Sequence, residues 1–78
     1  MTKKEIKDLI IKSDYKNKDV VIWWKYDDTT NVAIYNGDDG FYLDYSEIEY
    51  ELDDLVEAIF INSNYNNFKL KILEVKND

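Results

Sequence analysis

The chain has no cysteine and no histidine among its 78 residues. Without cysteine it can form neither a disulfide framework nor a thiolate metal site. Without histidine it lacks the commonest general base and metal ligand of proteins. These absences predict a cytoplasmic protein without a cofactor or a metal site.

Long apolar runs are also missing. None approaches the ~20 residues that a membrane-spanning helix needs. The N-terminal segment is interrupted by Lys7, Asp8 and Lys12, so it does not have the apolar stretch of a secretory signal. The hydrophobic content of 45% is ordinary for a folded chain, and the length suits one domain over residues 1–78. We expect no membrane partner.

Positive charge is unevenly distributed along a chain of net charge −7. No lysine occurs in residues 26–68, and arginine is absent from the whole sequence. The acids of this interval are Asp27, Asp28, Asp38, Asp39, Asp44, Glu47, Glu49, Glu51, Asp53, Asp54 and Glu57. The middle of the chain is therefore uniformly anionic.

The N-terminal residues have the pattern of a short helix. Thr2 and Glu5 have the spacing of a capping box, which places the helix start at about Lys3. The apolar stripe of this helix consists of Ile6, Leu9 and Ile10, and its periodicity fades near Ser13. About three turns are predicted, and they need tertiary packing to persist.

Residues 20–26, VVIWWKY, predict a strand because they are rich in β-branched and aromatic side chains. Apolar side chains on both faces, with Val21 and Trp23 on the second, indicate an interior or covered strand. A second strand is predicted over residues 32–36 and a third over 41–45, joined by the hairpin signal NGDDG at 36–40. Residues 68–75 predict a last strand, with Phe68, Leu70 and Ile72 facing inward.

Residues 44–57, DYSEIEYELDDLVE, predict an amphipathic helix with Ser46 as its N-cap and a capping box to Glu49. Its buried stripe would consist of Ile48, Leu52, Leu55, Val56 and Ile59, and the opposite face of Tyr50, Asp53, Asp54 and Glu57. Residues 47–52 also alternate like a strand, so both interpretations stay open there. An asparagine-rich loop at 62–67 ends the helix. The predicted order is α-β-β-β-α-β, an α+β domain with an antiparallel sheet and two helices.

The acids of this helix suggest a way of binding. Like charges three or four residues apart cost about 0.2–0.5 kcal/mol per pair. In the predicted register, the helix dipole stabilises Glu47 and Glu49 but not Asp53, Asp54 and Glu57. These three then need solvent or a cationic partner. They form either a solvated face or, with Asp38 and Asp39 of the hairpin turn, an imitation of spaced nucleic-acid phosphates.

Aromatic side chains form a second candidate surface. The predicted phases leave Trp23, Tyr35, Tyr42 and Tyr50 outward, and exposed rings are favoured at interface hot spots. A helix or neighbouring strand could instead cover Trp23 and Tyr35 as an ordinary second layer. This surface supports an alternative function, a non-catalytic interaction module or a homodimer that uses the aromatic sheet face.

Catalysis and direct nucleic-acid binding are not expected. The EF-hand pattern and a glycine-rich phosphate loop are absent, although carboxylates could in principle form an acid/base pair. The lysines of the N-terminal segment are diluted by Glu5, Asp8, Asp14 and Asp19. The sequence therefore favours a binding protein over an enzyme.

The helix EIKDLIIKSDY, the NGDDG turn and the acidic run SEIEYELDDLVEAIF resemble the small acidic anti-CRISPR inhibitors made by phages of Firmicutes. The resemblance covers element order and character over most of the chain. It implies inhibition of an RNA-guided CRISPR nuclease in the host cytoplasm, by carboxylates that engage its DNA-contacting Lys/Arg surface. The residues it implies are Asp38, Asp39, Tyr50, Asp53, Asp54 and Glu57. This chain ends in a predicted strand, where the family has a helix and an acidic tail, so another effector, a restriction enzyme or a repair glycosylase is an alternative target.

Overall fold

The computed structural model describes residues 1–38, 40–43 and 48–75. In chain order, the elements are α1 Lys3–Lys12, β1 Val20–Tyr26, β2 Thr29–Tyr35, β3 Phe41–Leu43, β4 Glu49–Tyr50, α2 Leu52–Asn62 and β5 Lys69–Glu74. The strands form one antiparallel sheet in the order β4-β3-β2-β1-β5. The predicted α+β class and its helix and strand order are confirmed, with the two-residue β4 as an addition before α2.

The predicted capping box begins α1. The amide of Glu5 donates to Thr2 Oγ1 at 3.1 Å, and the amide of Thr2 donates to Glu5 Oε1 at 2.9 Å. The hydrogen bond from the Thr2 backbone amide to the Glu5 carboxylate, together with one from the Thr2 side chain, lowers the pKa of Glu5. Ile6 and Ile10, one turn apart, are fully buried. Leu9, which was predicted on the same stripe, lies at its margin and is exposed beside a groove that Leu70 and Ile72 also line.

The strand β1 is interior, as predicted, with β2 on one side and β5 on the other. Its buried face consists of Val20, Ile22 and Trp24. The indole of Trp24 donates from Nε1 to Asn62 Oδ1 at 3.0 Å, which ties the strand to the last residue of α2. The side chains of Val21 and Trp23 on the other face are half-buried.

The first hairpin is tighter than predicted. Tyr26 pairs with Thr29, so residues 27–28 alone form the turn, and β2 begins three residues before its predicted start. Asp27 takes the left-handed conformation with φ 48°. The second hairpin is confirmed, because the Asn36 amide donates to the Gly40 carbonyl at 2.9 Å and Gly37 has φ 85°. Residues 44–45 of the predicted third strand lie outside the described residues.

The start of α2 corrects the sequence prediction. Residues 49–50 form a strand whose register pairs Tyr42 with Glu49 and Phe41 with Tyr50, and the helix begins at Leu52 with Glu51 as N-cap. Ile48 is 67% exposed, so it does not belong to the buried stripe. Ser46, the predicted cap, lies outside the described residues. The edge of β3 offers hydrogen-bond partners to the backbone at 49–50, and this long-range pairing overrides the local helical period.

The two helices pack on one face of the sheet. The buried core residues are Ile6, Ile10, Val20, Ile22, Trp24, Ala33, Phe41, Leu43, Leu55, Val56 and Ile59. The predicted inward residues of the last strand, Phe68, Leu70 and Ile72, pack against this core, and Lys69 and Lys71 are exposed. Because strand side chains alternate, the intervening residues lie on the opposite face of the sheet.

Two truncations test the observed start of α2. Leu55→Ala removes a fully buried side chain and should lower the free energy of unfolding by about 2–5 kcal/mol. Ile48→Ala should change it by no more than about 0.5 kcal/mol, because Ile48 is exposed. Urea unfolding followed by circular dichroism measures both. Equal losses would show that Ile48 belongs to the core, as the longer helix requires.

Candidate functional site

One face of the sheet carries no helix within the described part of the chain. Both helices contribute to the core cluster with the alternate strand residues, which leaves the other strand residues on what we call the open face. The described residues of the open face are Val21, Trp23, Lys25, Thr30, Val32, Ile34, Tyr42, Glu49, Lys69, Lys71 and Leu73. On this face the strand registers bring several exposed apolar side chains together.

Four apolar side chains lie side by side across the open face. The register pairs Leu73 with Val21, Val21 with Ile34, and Ile34 with Tyr42, so they form an apolar row over β5, β1, β2 and β3. Leu73 is 50% exposed, Ile34 51% and Tyr42 44%. Single exposed apolar residues are common on protein surfaces, but a contiguous set indicates an interaction site.

Trp23 lies next to this row, two residues after Val21 on β1 and on the same face. It is opposite Val32 on β2 and Lys71 on β5. The Lys71 Nζ lies 5.5 Å from the centroid of the Trp23 ring, within cation–π range. The predicted outward positions of Trp23 and Tyr42 are both confirmed, and both residues are on the open face.

Three lysines lie beside these apolar residues. Lys25 and Lys69 are directly opposite each other on β1 and β5, and Lys71 is the next residue of β5 on the same face. We call these three residues the lysine cluster. None of them makes an ion pair with a carboxylate of residues 1–38, 40–43 or 48–75. The sequence interpretation missed this cluster, because Lys25 and Lys69 are far apart in the chain and meet only through the β1–β5 pairing.

An open depression continues the apolar row at one end of the sheet. Its volume is about 540 Å³, and Val21, Ile34 and Val75 contribute to its wall together with residues 15–19 of the α1–β1 loop. A side chain of a partner bound on the apolar row could enter it. The depression is therefore a concave feature at the end of an otherwise flat face.

Two predicted outward rings lie on the core side, so that part of the prediction was wrong. The Tyr35 ring centroid is 4.9 Å from that of Tyr15 and 5.3 Å from that of Phe41. Tyr50 is opposite Phe41 and packs against the core. Ile34 points outward on β2, so the next residue, Tyr35, points inward. Tyr50 points inward because it belongs to a strand that pairs with β3, and not to a helix.

The helix dipole and lysines of α1 stabilise the acids of α2, and the predicted start of this helix did not reveal either effect. Asp53 and Asp54 lie in the first turn, where the positive helix terminus stabilises them. The Lys7 Nζ lies 2.9 Å from Asp53 Oδ1, and the Lys3 Nζ lies 3.9 Å from Glu57 Oε1. The hydrogen bond to Asp53 raises the pKa of Lys7. The sequence argument that Asp53, Asp54 and Glu57 lack both dipole and cationic compensation was therefore wrong. The helix dipole stabilises Asp53 and Asp54, and lysines pair with two acids, Asp53 and Glu57.

Asp38 and Asp54 differ from these two acids. Both are exposed, and neither carboxylate forms an ion pair within the described residues. The pairing of Tyr35 with Phe41, and of Phe41 with Tyr50, brings the β2–β3 turn and the start of α2 to the same end of the sheet. Asp39 lies outside the described residues. The roles of Asp38, Asp39, Tyr50, Asp53, Asp54 and Glu57 in partner binding stay predictions.

Comparison with known proteins found no matching family model, no matching curated protein and no matching solved structure. In the part of the chain that the structure describes, no helix has the length and apolar character needed to cross a membrane. The same residues include no group of three or more acidic side chains that could hold a metal ion.

The opposed lysines predict a stabilising substitution. Like charges directly opposite on neighbouring strands are destabilising, whereas opposite charges stabilise by about 0.2–1 kcal/mol. Lys69→Glu should therefore raise the free energy of unfolding by up to about 1 kcal/mol, and Lys69→Gln by less. Chemical unfolding in low salt measures both. A stability unchanged or lowered by Lys69→Glu would show that Lys25 and Lys69 do not repel each other.

Proposed function

We propose that this protein is a non-catalytic interaction module of the cytoplasm, which binds a protein partner through the open face. The observation that supports this proposal is the apolar row across four strands, on the face that carries no helix in the described structure. While these apolar side chains are exposed to water, the protein does not gain the free energy that their burial would provide. A bound partner would recover that burial.

Trp23 and Tyr42 are suited to anchor a partner. Large aromatic residues dominate interface hot spots, because they bury a large area at a small cost in rotamer entropy. Trp23 is already half-buried, and Lys71 lies over its ring, so little further ordering is needed when a partner binds. The Trp23 ring and the apolar row together form a nearly preorganised binding surface.

The apolar row alone cannot supply tight binding. Complete burial of an aliphatic side chain is worth roughly 1.5–3 kcal/mol, and these side chains are already about half-buried. The row therefore contributes on the order of a few kcal/mol, whereas micromolar affinity corresponds to about −8 kcal/mol. Further contacts, polar or charged, must complete the interface.

Ile34→Asp should abolish partner binding, because it puts a carboxylate in the middle of the apolar row. Ile61→Asp is the matched control, since Ile61 on α2 is 53% exposed and Ile34 is 51% exposed. Each immobilised protein is exposed to host lysate, and the retained proteins are quantified by mass spectrometry. We expect a protein that wild type and Ile61→Asp retain and Ile34→Asp does not. Equal retention by all three, with folding verified by circular dichroism, would refute binding through this face.

We propose a second candidate, the acidic inhibitor that the family resemblance implies. It would bind the Lys/Arg surface of an RNA-guided CRISPR nuclease, or of another host defence or repair enzyme, in place of DNA. Two observations favour it. The side chains of Asp53 and Glu57 remain 79% and 58% exposed within their ion pairs. Asp38 and Asp54 are exposed at the same end of the sheet, and such carboxylates can replace phosphates in a basic groove.

Reversal of the two exposed acids tests this second candidate. If this protein is such an inhibitor, the wild type should block DNA cleavage by a purified guide-loaded CRISPR nuclease. This inhibition should weaken as salt is added. Asp38→Lys/Asp54→Lys should lose that inhibition, whereas Asp27→Lys/Asp28→Lys, with the same change of charge at the other hairpin, should keep it. No inhibition by wild type, or equal loss in both variants, would count against the inhibitor reading.

A further inference from the structure

We propose that the partner of the open face is an acidic protein segment in which carboxylates accompany apolar side chains. This inference depends on the proposed function of the open face and adds the chemistry of the partner. The apolar row would bury the partner's apolar side chains, and the lysine cluster would bind its carboxylates. Trp23, between the two, would contact both parts of the segment.

The charge of the open face is opposite to that of the protein as a whole. Its described residues include the three lysines of the cluster and one acid, Glu49, in a chain of net charge −7. The Glu49 carboxylate already accepts a hydrogen bond from Asn36 Nδ2 at 2.8 Å. The lysine cluster therefore presents positive charge that makes no ion pair with a described carboxylate, beside an apolar surface, and complementary charge is how interfaces select partners.

The geometry sets a spacing for the partner. Val21 of the apolar row and Lys25 of the lysine cluster are four residues apart on β1, which corresponds to about 13 Å in a strand. Trp23 lies midway between them. An extended segment with an apolar residue at one position and a carboxylate four residues away would match both surfaces. Residues four apart in an extended segment lie on the same side, so both side chains of such a pair can face the sheet.

A second copy of this chain fits the open face poorly. In a two-fold symmetric interface the same patch is contributed by both subunits. An interface between two open faces would contain three lysines from each copy, and Glu49 is the one described acid that each face would contribute. Such repulsion argues against a homodimer on this face and for a partner that brings negative charge.

A nucleic acid also fits less well than a protein segment. Three of the four residues of the apolar row, Leu73, Val21 and Ile34, are aliphatic, so within the row Tyr42 alone offers a ring on which a base could stack. Lys71 lies over the Trp23 ring, and the net charge of −7 repels a polyanion. A short acidic segment carries less charge than a nucleic acid, and its aliphatic side chains match the apolar row.

Selection from a displayed library of random peptides tests the inference. The immobilised full-length protein is the target, and peptides that also bind Ile34→Ser are removed. This neutral substitution interrupts the apolar row without changing the charge of the face. We expect the remaining peptides to have net negative charge, with an apolar residue four positions from a carboxylate. Neutral or basic peptides that depend on Ile34 would overturn the inference and leave the proposed function standing.

Charge-matched variants then locate the electrostatic contact. Lys25→Gln/Lys69→Gln should weaken a selected acidic peptide about tenfold by fluorescence anisotropy, and less at high salt. Lys4→Gln/Lys12→Gln removes the same charge from α1 and should leave the affinity within about twofold. Equal effects of the two pairs would overturn the assignment of the lysine cluster.

Three other outcomes separate the remaining explanations. A selection that yields no Ile34-dependent peptide would refute binding of extended segments by the open face, and with it this basis for the proposed function. Binding of a single-stranded oligonucleotide that Lys25→Gln/Lys69→Gln abolishes would replace the protein partner with a nucleic acid. A dimer in sedimentation velocity that Ile34→Ser dissociates would make the second copy the occupant.

Discussion

The structure depends on the burial of one face of β1 beneath the two helices. Ile22 and Trp24 are almost completely buried there, and the hydrogen bond from Trp24 to Asn62 joins the strand to the end of α2. Because side chains alternate along a strand, the same packing places Val21, Trp23 and Lys25 on the opposite face. The core and the candidate site thus lie on opposite faces of the same strand. The face that the helices cover becomes the core, and the other face becomes the candidate site.

The charges of the molecule are divided between its two layers. Antiparallel packing of α1 on α2 brings Lys3 to Glu57 and Lys7 to Asp53, so the helical layer partly compensates its own acids. These pairs are exposed, so solvent screening leaves them weak. The sheet layer instead brings Lys25 and Lys69 together without a described acid beside them.

Much of the fold was predictable, because several of its elements carry local signals. The capping box located the start of α1, and the β-branched and aromatic run located β1 at its observed bounds. The start of α2 was not predictable, since residues 47–52 satisfy both periods and the edge of β3 selects the strand at Glu49–Tyr50. Of the candidate site, Trp23 and Tyr42 followed from strand alternation, whereas Tyr35 was misplaced by an error of phase.

The sequence by itself determined the class of fold, the periodicity of most elements and the anionic middle of the chain, because caps, turns and apolar patterns act over a few residues. The tertiary structure alone decided which charges meet. The pairing of β1 with β5 creates the lysine cluster, and the packing of α1 on α2 brings lysines to Asp53 and Glu57, which local reasoning left without partners. Both depend on contacts between segments more than 40 residues apart, such as Lys25 with Lys69 and Lys7 with Asp53, and no local pattern encodes which distant segments will be neighbours.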